Sequence, residues 1–143
     1  MRTHKELLWF STEKRCEIID ITSKIERAVA RSGVTEGLVL VYPMHTSSAV
    51  YVSDSDRSLT RDLDALLTRL APQAAGYHHD KTDPKENAEA HLRAILCGHH
   101  IVLPVAAAQL DLGTYQTIYY AEFDGIRKKE IQVKVLGDAV FTE

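Results

Sequence analysis

Residues 131–135 read Ile-Gln-Val-Lys-Val, a strict alternation of branched apolar and polar side chains. Successive side chains on a strand point to opposite faces, so Ile131, Val133 and Val135 share one face and Gln132 and Lys134 the other. An antiparallel strand with one side on a core and the other in water is written this way. Such a strand needs neighbours, and the chain supplies candidates at residues 7–10, 16–19, 49–52, 101–105, 110–112 and 115–121. Residues 38–42, Leu-Val-Leu-Val-Tyr, are continuously apolar and predict a strand buried on both faces, interrupted at Pro43. Asp124-Gly125 marks a turn between two of these runs.

Three segments follow a helical period instead. Ile21, Ile25, Ala28 and Val29 recur at helix spacing, and Gly33 can close the helix. Asp20, Thr22 and Ser23 offer caps, and Ser23 with Glu26 forms a capping box. Leu59, Leu63, Leu66, Leu67 and Leu70 mark a second, amphipathic helix ahead of Pro72. After a polar loop over residues 76–83, Asp83-Pro84-Lys85-Glu86 predicts the start of a third. Ala88, Leu92, Ile95 and Leu96 would be its buried stripe and Gly98 its end. About three helices among roughly seven strands, without regular βαβ alternation, indicate the α+β class. A single compact domain over residues 1–143, with a substantial mixed or antiparallel sheet, is expected.

The bulk properties exclude several functions. There are 17 Lys and Arg against 20 Asp and Glu, a net charge of −3, so no nucleic-acid platform is expected, although a local basic pocket remains open. No Gly-rich phosphate fingerprint points to a dinucleotide or P-loop fold. No apolar run approaches the roughly 18 residues of a membrane span, so no membrane partner and a cytoplasmic location are expected. Cys16 and Cys97 stand in no metal-binding spacing and read as thiols that fill core space.

Histidines carry the candidate chemistry. His45 follows the apolar run and opens His45-Thr46-Ser47-Ser48, where a rigid strand end would hold an imidazole beside three hydroxyls. Those hydroxyls can bind a phosphate or satisfy nearby backbone groups. His78-His79-Asp80 places imidazoles beside a carboxylate in the polar loop, which suits a metal site, an acid/base pair or a merely solvated loop. His91 falls within the predicted helix stripe and should face inward, with Asn87 four residues earlier to orient it. It reads as a ligand or as a buried structural histidine. Together, His45, His79 and His91 are the ingredients of a three-imidazole metal site with one open position, or of a phosphate pocket. Gln116 can bond a ligand as donor and acceptor, and Arg127 can fork onto a phosphate or belong to a solvated edge strand. His99 and His100 read as a solvated turn.

The order of these motifs resembles the YjbQ family, also called UPF0047, from about residue 5 to Gly137. The resemblance rests on LVLVYPMHTSSAVYVSDSD, Asp62, the YHHD run from Tyr77 to Asp80, Asn87, His91 and Gly98. It continues through Leu112 to Gln116, Glu122 and Arg127. Ser53-Asp54-Ser55-Asp56 departs from an Asn-Glu-Asn-like stretch, and Tyr115, Ala108 and Ile126 replace a tryptophan, a glycine and a proline or glycine. The resemblance implies a homotrimer with a polar site around His45, His79 and His91. It implies a small-molecule enzyme with a secondary thiamine-phosphate synthase activity, joining a thiazole phosphate to a pyrimidine diphosphate with release of pyrophosphate. The catalytic set would be His45, His79, His91, Asp80 and Asn87, with Thr46, Ser47, Gln116 and Arg127 on the phosphorylated ligand. A divalent metal would be zinc or similar on the histidines, or magnesium for the phosphate chemistry. A metal-assisted hydrolase and a non-catalytic trimer that binds a metal or metabolite are the alternatives.

Overall fold

Ile131, Val133 and Val135 are fully buried, as their alternation requires. They lie in a longer strand paired on both sides, within a computed structural model that describes residues 1–140. The elements in chain order are β1 (Arg2–Ser11), β2 (Glu17–Asp20), α1 (Thr22–Ser32), β3 (Glu36–Pro43), β4 (Ser48–Asp54) and α2 (Ser58–Leu70). They continue with α3 (His78–Thr82), α4 (Ala88–Cys97), β5 (Ile101–Ala106), β6 (Gln109–Leu110), β7 (Gln116–Glu122) and β8 (Lys128–Asp138). Two antiparallel sheets result, in the orders β1-β8-β3-β5-β6 and β2-β7-β4. The domain is α+β.

The main core lies where the inner face of the larger sheet meets α1 and the smaller sheet. Val39, Val41, Ile131, Val133 and Val135 face Ile21, Ile25 and Val29 of the α1 region and Ile118 and Tyr120 of β7. Each such side chain contributes roughly 1.5–3 kcal/mol on full burial. The other face of the smaller sheet forms a second cluster: Ala49, Ala121 and Phe123 pack with Leu67 of α2 and Ala90 and Ala94 of α4. The strand buried on both faces is therefore β7, whose residues 117–122 are all buried, and not β3. Leu38 and Tyr42 of β3 are exposed on the outer face of the larger sheet, where the His99 and His100 rings lie against Tyr42.

The helices differ from the expectation in instructive ways. Asp20 caps α1 by accepting the Thr22 N–H at 2.9 Å, and the helix start carries no Ser23–Glu26 capping box. Gly33 ends α1 at φ 72°, a left-handed conformation that costs glycine little. The polar loop contains α3, and Asp83 closes that helix instead of opening the next. Helix α4 begins five residues later, and its buried residues are Ala88, Glu89, Ala90, Arg93 and Ala94. Of the predicted stripe only Ala88 is buried; Leu92, Ile95 and Leu96 are exposed. Small residues let α4 lie close to the Ala49 and Ala121 surface of the sheet, so the larger apolar side chains turn outward.

Strands β3 and β8 meet through the pair Gly37 and Gly137. A Cβ added at Gly37 would fall 2.1 Å from the Leu136 carbonyl oxygen and 2.7 Å from the Gly137 Cα. Gly37→Ala should therefore force the two backbones apart and lower stability by about 1–3 kcal/mol, the usual cost of overpacking. Urea denaturation with an unchanged midpoint would refute this close approach.

Candidate functional site

His79 from α3, His91 from α4 and Thr46 from the β3–β4 turn come together. With Tyr77, His78, Ala88, Leu92, Ala94, Ile95 and His99 they line a cavity of about 630 Å³. Asp80 holds this wall in place: its Oδ1 accepts the Ala88 N–H at 2.9 Å and so satisfies one of the free donors at the start of α4. That oxygen is thereby committed to the start of α4. The His79 and His91 rings meet edge to face with centroids 5.1 Å apart. His91 does not enter the core; it is partly exposed on the pocket wall. Its Nδ1 lies 2.9 Å from the Thr46 carbonyl. A carbonyl only accepts, so Nδ1 carries the proton and Nε2 is the bare nitrogen. Asn87 orients His79 and not His91, its Oδ1 lying 3.2 Å from His79 Nε2. His99, expected in a solvated turn, is a pocket residue braced edge-on against Tyr42 at 4.6 Å.

His45 belongs to a different constellation. Its Nδ1 is 3.0 Å from Ser48 Oγ and its Nε2 3.4 Å from the Tyr120 hydroxyl. Tyr120 donates to Glu122 Oε1 at 2.7 Å, so the tyrosine oxygen is the acceptor for His45, and Ser48 donates to the other ring nitrogen. Both nitrogens are thus engaged. Burial holds the His45 imidazole down to about 4, against the pull of Glu122 in the opposite direction. Glu122 is wholly buried, and its Oε2 accepts from Ser47 Oγ at 2.9 Å and from the backbone N–H groups of Phe123 and Asp124. Lys129 donates to Ser47 Oγ at 2.8 Å. Ser47 is therefore committed to Glu122 and Lys129, and the hydroxyl beside the pocket is that of Thr46.

Arg127 is linked to His79 by a chain of hydrogen bonds through Asp124 and Asn87. Its NH2 bonds Asp124 Oδ2, and Arg15 Nε lies 3.7 Å from Oδ1. Asn87 Nδ2 donates to the same Oδ2 at 2.9 Å. Burial pushes the Asp124 carboxyl up, but Asn87, Arg127 and Arg15 outweigh it and hold the group below the usual carboxylate range. Arg15 also pairs with Glu89, which is 1% exposed on α4. The arginine segment is not a solvated edge: β8 lies between β1 and β3, and Lys129 is drawn inward to Glu122. Ile126 sits at φ 64°, a strained conformation for a β-branched residue, just before Arg127. Its N–H is held by Thr12 Oγ1 at 3.0 Å.

Gln116 is not brought to this pocket. It begins β7, six residues from Glu122, and its Oε1 accepts the Gly113 N–H at 2.8 Å to close the preceding loop. A second cavity of about 380 Å³ lies toward that end, lined by Tyr51, Asp54, Asp62, Cys97 and Tyr119 among others. The expected three-imidazole metal set does not assemble within one chain. Both ring nitrogens of His45 are already engaged, and no group of three or more His, Cys, Asp or Glu is placed to hold an ion among the described residues.

The family model described as UPF0047 protein YjbQ-like matches residues 6–138. The chain belongs to the YjbQ family. The UPF0047 protein of Archaeoglobus fulgidus is 44% identical over 129 residues, covering 90% of this chain and 98% of that one. The UPF0047 protein YugU of Bacillus subtilis is 31% identical over 132 residues, with coverage of 91% and 97%. Among solved structures, a YbjQ-like protein of unknown function from Sulfolobus solfataricus superposes with a TM-score of 0.90 at 30% identity, covering 96% of this chain and 99% of that one. No helix among the described residues is long and apolar enough to cross a membrane.

Sequence reading within the YjbQ family placed Glu122 in the pattern without a role, and it missed Tyr120, Lys129, Arg15, Glu89 and Asp124. One signal was available. Glu122 closes a run of apolar residues in a strand with no polar face, and a carboxylate there must find donors. Arg15 and Glu89 carry no such signal, since they are 74 residues apart and meet only in the fold.

The His45 environment predicts a pH dependence. Its folded value of about 4 lies below the ordinary 6.5, so the unfolded chain takes up a proton first. The stability contributed by neutral His45 is complete above pH 6.5 and is lost as the pH falls toward about 4. Denaturation midpoints measured across that window should fall with pH, and His45→Gln should flatten the slope. An unchanged slope in the variant would contradict the assignment.

Proposed function

We propose that the pocket of His79 and His91 binds a phosphorylated small molecule and acts on it as an enzyme, with Arg127 as the phosphate anchor. The carrying observation is the pair of imidazoles at 5.1 Å on the wall of one cavity, each with its proton placed by a fixed acceptor, with Arg127 linked to His79 through Asp124 and Asn87. Imidazole is the side chain most often used to accept and return a proton in catalysis. Arg127 is 45% exposed and retains donors beyond its bond to Asp124, so its fork can neutralise charge on a phosphate or departing pyrophosphate. Thr46 adds a hydroxyl at the rim. Joining a thiazole phosphate to a pyrimidine diphosphate, a thiamine-phosphate-synthase-like step, is one reaction these groups suit, since it needs leaving-group neutralisation more than a strong nucleophile.

A metal-assisted hydrolase is the second reading. The bare nitrogens of the same pair offer a divalent ion two ligands, which suits zinc better than magnesium. One chain does not complete such a set, so no step is routed through a metal. Self-assembly as a homotrimer accompanies the proposal. It is supported by the outer sheet face, where Leu38 is 46%, Trp9 52% and Val102 55% exposed.

Phosphorylated metabolites should be screened by thermal shift, and hits titrated by calorimetry. Arg127→Ala should weaken a phosphorylated hit by about 10–100-fold, the loss of a charge-assisted hydrogen bond. His91→Ala should abolish binding at a stability cost of about 1–2 kcal/mol. A strongly destabilised His91→Ala protein that still binds normally would make the histidine a packing residue and sink the proposal. Light scattering at micromolar concentration should give the mass of three chains, and a one-chain mass would exclude the trimer.

A further inference from the structure

Asp124 accepts hydrogen bonds from Arg127 and Asn87 and forms an ion pair with Arg15. Arg127 and Asn87 meet at its Oδ2, and Arg15 stands at its Oδ1. A carboxylate between two guanidinium groups offers no proton, so the Asn87 amide can only turn its NH2 toward it. The amide oxygen is thereby forced to face His79 Nε2 at 3.2 Å. An amide oxygen only accepts, and the Asp83 carboxylate 3.6 Å from the same nitrogen makes the same demand. We infer that Asp124, acting through Asn87, is a positioning residue that keeps the His79 proton on Nε2 and leaves Nδ1 as the nitrogen offered to a ligand.

The consequence for the pocket is specific. Asn87 is 5% exposed and cannot exchange its partners for water without moving. His91 is set in the opposite sense by the Thr46 carbonyl, so the pair offers one Nδ1 and one Nε2 as lone pairs. Two lone pairs repel phosphate oxygens. They accept instead from N–H or O–H groups, so this inference, which rests on the proposed function, names the ligand class: a molecule with a donor-bearing heterocycle or amine at the imidazoles and its phosphate at Arg127.

The test is a long-range nitrogen–proton correlation spectrum of the imidazoles, recorded on the ligand-free full chain at a pH where both histidines are neutral. His79 should show a protonated Nε2 and a bare Nδ1, and His91 the reverse. Asp83→Ala should leave the His79 pattern unchanged, because Asn87 suffices. Asp124→Leu combined with Asp83→Ala frees the amide to turn and should give a mixed His79 pattern, with His91 unchanged as evidence that the fold is intact. If that double variant does not fold, Asn87→Ala with Asp83→Ala replaces it, with the same expected outcome. A His79 proton on Nδ1 in the unaltered chain, or an unmixed Nε2 proton in the folded double variant, overturns the inference. Since the spectrum involves no ligand, its failure is separate from failure of the pocket to bind phosphorylated compounds.

Discussion

A carboxylate with no contact with water must have its oxygens filled by donors, and Glu122 is such a group. It draws Ser47 from the β3–β4 turn, Tyr120 from its own strand, Lys129 from β8 and two backbone N–H groups from the turn after β7. These bonds join the end of the smaller sheet to the larger one. They fix where the chain enters β4, leaves β7 and enters β8, and so where Thr46 and Asp124 stand. His45 is part of this scaffold through Tyr120. The reactive-looking histidine of the sequence thus supports the site, and the imidazoles that line the cavity are others.

A second ion pair, between the partly exposed Arg15 and the buried Glu89, repeats the device beside it. Arg15, from the loop between β1 and β2, reaches Glu89 in α4 and Asp124 in the β7–β8 turn. Loss of one partner from such a pair leaves an uncompensated buried charge, which typically costs about 3–5 kcal/mol. The pair therefore serves registration: three segments distant in sequence are held so that Asp124 can join Asn87, and through it His79, to Arg127. Ile126 in its left-handed conformation fits this view, since local strain persists only where the surroundings impose it.

The apolar surfaces left open belong to the same account. Leu92, Ile95 and Leu96 face away from the sheet, with Leu92 and Ile95 on the cavity wall, while Leu38 and Val102 lie on the outer face of the larger sheet. A chain that buries alanines under its helix and displays larger side chains outward has hydrophobic area reserved for something beyond its own core.

The sequence alone determined the elements whose cause is local. Alternation at residues 131–135 defined β8, helical spacing and Gly33 defined α1, and the ordered motifs placed the chain in the YjbQ family. It could not decide which face of an apolar run is buried, because Leu38 and Val39 are equally apolar and only the layer above the sheet distinguishes them. It mistook the start of α4 because Asp83 can cap either helix, and only the Asp80 bond to Ala88 breaks that symmetry. Nor could it say which histidines meet. Those distances depend on Glu122, Arg15 and Asp124 finding partners far along the chain, and long-range pairing of buried charges is a property of the packed molecule.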